Sequence, residues 1–304
     1  MVKKIKSWIL YLSLLSLFGL PAVGFTSLIK KENHIYSVAI MAIFQNDAEY
    51  LREWIEFHRL VGVKHFLLFN HLSTDNYHEV LQPYISKGIV ELIDWTYPYN
   101  GIKEWNGIQS NAYMHGIALL KGKAKWVAII DTDEFLFPVK ENSLEKVLSG
   151  YKAAGVGVNW QVFGTSRVAK IGPNQLLIEA LYLRCDANAS VNLHVKSIVR
   201  PEYVIGCNNP HCVKYKKGQQ QVNPDNVVFK GAFAPYVAVD KIRINHYSYR
   251  DEYYFHNVKI PRLIKWRGRG LENPEKFMEP LNEFPDNTIN RFITPLKRNM
   301  GLKA

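Results

Sequence analysis

Near the middle of the chain, Trp126-Val127-Ala128-Ile129-Ile130 runs without interruption into Asp131-Thr132-Asp133-Glu134. A short apolar run bounded by lysines reads as a strand buried on both faces, as in a parallel sheet. In such sheets ligands bind beyond the carboxyl ends of the strands. Three carboxylates crowded at one strand end repel one another unless something cationic sits among them. Aspartates one residue apart offer oxygens to a hard divalent ion that also holds substrate phosphates. The structural alternative is a solvated acidic turn.

The elements before this strand give it a setting. Ser37–Phe44 reads as a first strand, with Gln45-Asn46-Asp47 as its exit loop. Leu51, Trp54, Ile55, His58 and Val61 then recur at helical spacing, and Gly62 can end that helix. A second strand is expected at His65–Asn70, a short helix at Val80–Ile85, a third strand at Gly88–Trp95 and a helix over Trp105–Leu120. Strand and helix alternating in this way predict an α/β domain with a largely parallel sheet flanked by helices. Beyond Pro138, a short helix is expected at Leu144–Tyr151 and strands at Val156–Phe163, Leu176–Ile178, Val195–Arg200 and Lys241–Asn245. Glu252–Trp266 reads as a helix. No repeat or linker interrupts the pattern. One domain over 36–270 is the economical division, with 1–30 as a leader and 271–304 as a basic, loop-rich tail.

With 304 residues, 47% hydrophobic and 21% charged, the chain can bury a sizeable core, and global disorder is excluded. A net charge of +11 favours anionic or phosphorylated partners or anionic lipid surfaces. No nucleic-acid-binding motif accompanies that charge, so nucleic acid is not an expected partner. In the leader, Lys3, Lys4 and Lys6 precede an apolar stretch from Trp8 to Phe18, and Ala22-Val23-Gly24 and Lys30-Lys31 follow. The segment reads as a single-pass signal-anchor that associates the domain with a membrane, or as a cleavable signal peptide of a secreted or periplasmic protein. Cys185, Cys207 and Cys212 are too few for a disulfide scaffold. Cys207 and Cys212 could bridge locally, whereas a zinc site with His211 lacks a fourth ligand.

Several blocks, in this order, resemble GT-A glycosyltransferases, in particular family ninety-two and nearby family-two enzymes. They are Ile43–Asp47 with Leu51–His58, Trp126 with Asp131–Phe135, Val158–Gly164, Lys196–Pro201, Asn245-His246-Tyr247 and Lys259. The resemblance implies a Rossmann-like GT-A fold and a hexosyltransferase that moves a sugar from a nucleotide-sugar donor, with uracil the expected base, to a glycan or other hydroxyl acceptor. It implies that Asp131, Asp133 and His246 hold Mn²⁺ or Mg²⁺ against the donor diphosphate, with the imidazole favouring Mn²⁺. Donor binding would fall to Asn46, Asp47, Asn70 and Asp75 in the loops after the first two strands, to Gln109, and to Lys259 and Arg269 as diphosphate clamps. Similar family ninety-two enzymes invert the anomeric centre, which needs a base for the acceptor hydroxyl. Asp186 is the first candidate, then Glu134 and Asp251. Trp160 offers a face for a sugar ring. Two other classes remain open. A haloacid-dehalogenase phosphotransferase also carries Asp-x-Asp, but on its first strand. A non-enzymatic carbohydrate- or polyanion-binding protein explains the leader and charge but leaves the acidic cluster without a role.

Overall fold

The computed structural model describes residues 34–303. The leader, with its anchor or signal-peptide expectation, lies outside them. Among the described residues no helix is long and apolar enough to cross a membrane.

The first half runs β1 (Tyr36–Phe44), α1 (Ala48–Leu60), β2 (His65–Asn70), α2 (Tyr77–Ile85), β3 (Val90–Asp94), α3 (Ile102–Leu120) and β4 (Ala124–Ile129). The strands lie parallel in the order β4-β1-β2-β3. Side chains alternate across a strand, so a sheet covered on both faces needs apolar residues at every position. The apolar runs supply them. Val38, Ile40, Ala42 and Phe44 of β1 face the core that contains Leu51, Trp54 and Ile55 of α1, while Ala39, Met41 and Ile43 face the one that contains Ala112, Tyr113 and Ile117 of α3. At Gly116, α3 approaches the sheet so closely that a Cβ would lie 2.1 Å from Met41 Sδ.

The second half adds β5 (Glu134–Pro138), α4 (Leu144–Leu148), β6 (Gly155–Val162), α5 (Leu177–Ala180), β7 (Leu183–Arg184), β8 (Val195–Val199), β9 (Val204–Asn209), β10 (Cys212–Tyr215), β11 (Gln221–Val222), β12 (Val228–Phe229) and β13 (Ile242–His246). Next come α6 (Glu252–Tyr254), a π-helical turn at Phe255–Lys259, α7 (Ile260–Arg267), α8 (Pro274–Met278), β14 (Phe284–Pro285) and α9 (Ile293–Met300). β8 joins β4 antiparallel and β6 joins β8, completing a mixed sheet in the order β12-β11-β6-β8-β4-β1-β2-β3. β13 pairs parallel with β6 and antiparallel with β5. The mixed, largely parallel sheet flanked by helices is therefore the expected one.

Two expectations need correction. Leu176–Ile178 is not a strand: Leu177 and Ile178 start α5, where their backbone N–H groups donate to Glu53 Oε2 and Oε1 at 2.8 and 3.1 Å. The segment from 271 is no loose tail. It forms α8 and α9, buries Met278, Leu281, Phe292 and Leu296, and belongs to the same compact unit as the rest of the described chain. The three cysteines are free thiols, one of the states left open for Cys207 and Cys212.

Candidate functional site

Glu134 to Pro138, unassigned in the sequence reading, turns out to be the strand that fixes the acidic turn. Trp54 Nε1 donates to Glu134 O at 2.8 Å. His58 Nδ1 donates to Trp54 O at 2.8 Å, and its Nε2 accepts from Leu136 N at 3.1 Å. Those two partners assign the tautomer, since a carbonyl can only accept and an N–H can only donate. Burial holds the His58 pKa down at about 3, so the ring is neutral. Helix α1 is thus bolted to the strand leaving Asp131-Thr132-Asp133. The turn itself is closed by Glu134 N on Asp131 O at 3.1 Å and by Asp131 N on Glu134 Oε2 at 2.9 Å.

Sheet register brings the remaining groups to this turn. In the β13–β5 ladder His246 stands opposite Glu134, and in the β13–β6 ladder Ile244 stands opposite Trp160. His246 Nε2 lies 3.6 Å from Asp133 Oδ1. Lys196, on β8, places Nζ 2.8 Å from Asp131 Oδ2 and 3.7 Å from Glu134 Oε2. Asp47, at the exit of β1, accepts from Thr132 Oγ1 at 2.7 Å and from Arg250 Nη2 at 2.8 Å. The result is a cleft of about 340 Å³ at the carboxyl ends of the parallel strands, lined among others by Asp47, Gln109, Asp131, Asp133, Trp160, Lys196, His211 and His246. Tyr99, Trp105 and Asn106 line it from the β3–α3 side; Lys259, Arg262, Trp266 and Arg267 line it from one face of the late helical segment.

The charges are unequally satisfied. Burial raises the Glu134 carboxyl well above its usual value, with Asp131 and Asp133 adding to the rise against Lys196. Burial also opposes ionisation of Asp133, but His246, then Lys259 and Arg250, outweigh it and hold the carboxyl below the usual range. Burial lowers the Lys259 ammonium against the pull of Asp133. Lys259, Arg262 and Arg267 have no ion pair among the described residues. Cations left unpaired in a cleft favour an anionic ligand.

The expected three-ligand metal set is not assembled as a set. Asp131 is taken by Lys196 and receives a hydrogen bond from Tyr113 Oη at 3.3 Å. Among the described residues no group of three His, Cys, Asp or Glu is placed to hold an ion. The pair Asp133 and His246 does fit one. Asp133 Oδ1 is buried with no hydrogen-bond partner, and the 3.6 Å gap between it and His246 Nε2 is too long for a hydrogen bond. Two ligands of one ion, each at about 2.0–2.2 Å, can stand that far apart.

Other expected site residues divide. Gln109 and Lys259 line the cleft, and so does Asp47, although both its carboxylate oxygens are committed. Asn46, Asn70 and Asp75 do not line it; they knit the loops after β1 and β2. Asn46 Oδ1 accepts from Thr74 N at 2.7 Å, Asn70 Nδ2 donates to Tyr77 Oη and Asp94 Oδ1 at 2.9 Å each, and Asp75 Oδ2 accepts from Ala48 N at 2.8 Å. Arg269 lines a neighbouring hollow that shares only Arg267 with the cleft. Of the expected bases, Glu134 is fully buried behind the turn, and Asp251 caps α6 through Tyr254 N at 2.8 Å. Asp186 sits exposed on a turn, accepting from Asn188 N at 2.7 Å, and is not among the lining residues. Lys196 opens one of the blocks that carry the resemblance but had no role assigned to it, and Tyr99, Trp105, Asn106 and Trp266 were not singled out as site residues. A lysine inside the apolar run Val195–Val199 was the one available signal, because a buried lysine requires a partner.

Comparison with known proteins gives the following. Residues 32–293 match the profile of the family described as Glycosyltransferase family 92. A glycosyltransferase family 92 protein of Oryza sativa subsp. japonica is 27% identical over 225 residues, covering 71% of this chain and 34% of that one. A protein of the same description from Arabidopsis thaliana is 25% identical over 260 residues, 76% of this chain and 40% of its own. The chain thus spans well under half the length of these curated relatives. Among solved structures, S. aureus TarS 1-349 aligns with 86% of this chain and 73% of its own at 11% identity and a TM-score of 0.37. The mannosyltransferase PcManGT from Pyrobaculum calidifontis, in complex with GDP-Man and Mn²⁺, aligns with 56% of this chain and 46% of its own at 12% identity and a TM-score of 0.33.

Proposed function

The chain belongs to glycosyltransferase family 92, and from that premise we propose that it transfers a glycosyl group from a nucleoside-diphosphate sugar to a hydroxyl of a glycan acceptor. The observation that carries the reading is the cleft itself, where the buried Asp133–His246 pair shares its walls with the unpaired cations Lys259, Arg262 and Arg267. That is the charge pattern a nucleoside diphosphate needs.

In this reading Trp105, Asn106 and Gln109, on the first turns of α3, take the nucleoside: one flat face and two amides that can both donate and accept. The assignment replaces Asn46, Asn70 and Asp75, which do not line the cleft and make loop contacts instead. Lys259 and Arg262 hold the diphosphate with charge-assisted hydrogen bonds. Asp133 and His246 would hold a divalent cation, Mn²⁺ suiting the mixed oxygen and nitrogen donors, and it would supply charge neutralisation to the departing diphosphate. Lys196 holds the Asp131 carboxylate in place. In the transfer, the bond from the anomeric carbon to the diphosphate oxygen breaks, the acceptor oxygen bonds that carbon, and its proton leaves to a base. Inversion at that carbon is the outcome implied by the family resemblance.

Mn²⁺-dependent hydrolysis of a panel of UDP- and GDP-sugars tests the proposal. The wild-type chain should turn over at least one donor, and Asp133→Asn should lower that rate by about 10²–10³-fold, the loss typical of removing a preorganised electrostatic group, while its melting temperature stays near wild type. No donor turned over, or full activity in Asp133→Asn, would refute it.

A further inference from the structure

The cleft occupies one end of the parallel strands, and the opposite end carries a surface that donor chemistry does not use. There the starts of β1, β2 and β4 are held together by Tyr36 N on Lys123 O at 2.9 Å and by Lys64 N on Val38 O at 3.3 Å. Lys87 stands just before β3, and Lys121 stands in the turn before β4. β6 runs antiparallel to β8, as β4 does, and β11 runs parallel to β6. Lys152, before β6, and Lys216 and Lys217, before β11, therefore come to the same pole. All seven lysines are exposed, and none has an ion pair among the described residues.

Three observations set this pole apart from an ordinary solvated face. Nearby carboxylates are already engaged: Glu202 accepts from Gly122 N at 3.0 Å and lies 3.5 Å from His34 Nε2, Glu145 accepts from Ser37 Oγ at 2.8 Å, and Glu91 lies 3.6 Å from His65 Nε2. Towards β13, by contrast, charges of both signs pair, as in Lys241–Asp225 and Lys146–Glu141. Gathered ammonium groups without counter-ions repel one another and attract an anionic partner. Apolar residues stand among them: Ile35 is 70% exposed and Ile205 is 59% exposed, and both lie within three positions of the His34–Glu202 contact. Apolar side chains beside lysines suit a lipid interface, where the first enter the headgroup boundary and the second meet anionic headgroups. Finally, the apolar run Trp8–Phe18 and then Lys30-Lys31 lead by sequence into this pole and not into the cleft.

We propose that the lysine pole docks the domain on an anionic lipid surface, with Ile35 and Ile205 at the headgroup boundary. The proposal is independent of the transferase reading and concerns the folded domain's own surface rather than the leader. β1, nine residues long, separates the pole from the cleft by about 30 Å. A domain docked in this way opens its cleft away from the lipid, towards soluble substrates.

Site-resolved lysine acetylation of the full chain tests it. A water-soluble acetylating reagent is applied on phosphatidylcholine vesicles and on vesicles with about 30% phosphatidylglycerol, and each lysine is read by mass spectrometry. Lys64, Lys121, Lys152 and Lys216 should label about fivefold more slowly on the anionic vesicles, the gain one lysine draws from an anionic leaflet. Salt at about 0.5 M should abolish the difference. Lys265 and Lys276, on the cleft side, should label alike on both. Combining Lys64→Glu, Lys87→Glu, Lys121→Glu and Lys123→Glu leaves the leader unchanged, yet protection of Lys152 and Lys216 should vanish, with melting temperature and donor hydrolysis as in wild type. The converse set, Lys152→Glu with Lys216→Glu and Lys217→Glu, read at Lys64 and Lys121, repeats the test from the other flank. Equal labelling on both vesicles, protection of Lys265 and Lys276 instead, or protection of Lys152 that persists in the fourfold variant would each overturn the docking surface. Soluble heparin that shields the same lysines as strongly as the vesicles do would overturn lipid as the occupant.

Discussion

Replacing Lys196 by Met removes the ammonium that pairs with Asp131 and lies near Glu134, and its consequences can be worked from the geometry. Lys196 is 1% exposed, with Nζ 2.8 Å from a carboxylate whose side chain is 32% exposed and 3.7 Å from one that is fully buried. Deleting one partner of a buried ion pair typically costs about 3–5 kcal/mol. Two features pull this case to the lower end. Asp131 keeps some water, and Glu134, already pushed towards its neutral form by burial, can take up a proton. A loss of about 3 kcal/mol corresponds, at roughly 2 °C per kcal/mol for a body of this size, to a melting point about 6 °C lower. That drop should be seen in EDTA. Adding Mn²⁺ should raise the melting point of Lys196→Met more than that of wild type, because an ion bound at Asp133 and His246 replaces part of the missing positive charge and stabilises the form that binds it. Scanning fluorimetry of both proteins with EDTA and with millimolar Mn²⁺ reads the two effects. A Lys196→Met protein that melts within about 1 °C of wild type in EDTA would refute the view that this lysine is the counter-ion of the acidic turn.

Other predictions follow from single contacts. The His58 ring is neutral in the fold, so its depressed pKa contributes stability that is present above the unfolded value of about 6.5 and is lost as pH falls towards 3; urea unfolding should show about 1.4 kcal/mol less stability per pH unit below 6.5, and His58→Ala should flatten that slope. Arg250→Met should cost about 3–5 kcal/mol by stranding the buried Asp47 carboxylate, whereas Asp47→Asn together with Arg250→Met should recover part of the loss in the same denaturation assay. Trp105→Ala should weaken UDP binding about tenfold, within the 1–3 kcal/mol typical of a base stacked on an aromatic ring, with Mn²⁺ affinity unchanged by calorimetry.

The first half of this fold was legible in the sequence because its strands are buried on both faces and its helices are amphipathic, so hydrophobic period alone separates them. β2 spans His65–Asn70, as its apolar run indicates, and β1 and β4 begin within two residues of their expected starts. The second half was less legible because its elements are short and set by tertiary contacts. Leu177 and Ile178 have the composition of a strand, yet the Glu53 carboxylate at their backbone N–H groups makes them the first turn of α5.

The same limit explains the site. Asp133 and His246 are 113 positions apart by their numbers in the chain, and a motif can nominate each, but only the β5–β13–β6 register shows that they meet and that Trp160 meets them. Asn46 and Asn70 stand off the cleft lining and bond neighbouring loops, since a side chain that can bond a uracil can equally bond a nearby backbone or side chain. The acidic turn shows the reverse case. Its charge demanded a cation, and sequence logic supplied a metal for both aspartates, whereas the fold supplies Lys196 for Asp131 and leaves Asp133 with His246. A built-in ammonium at one aspartate lowers the charge that any bound ion must balance. The Mn²⁺ response of Lys196→Met therefore reports how the two sources of positive charge share the turn.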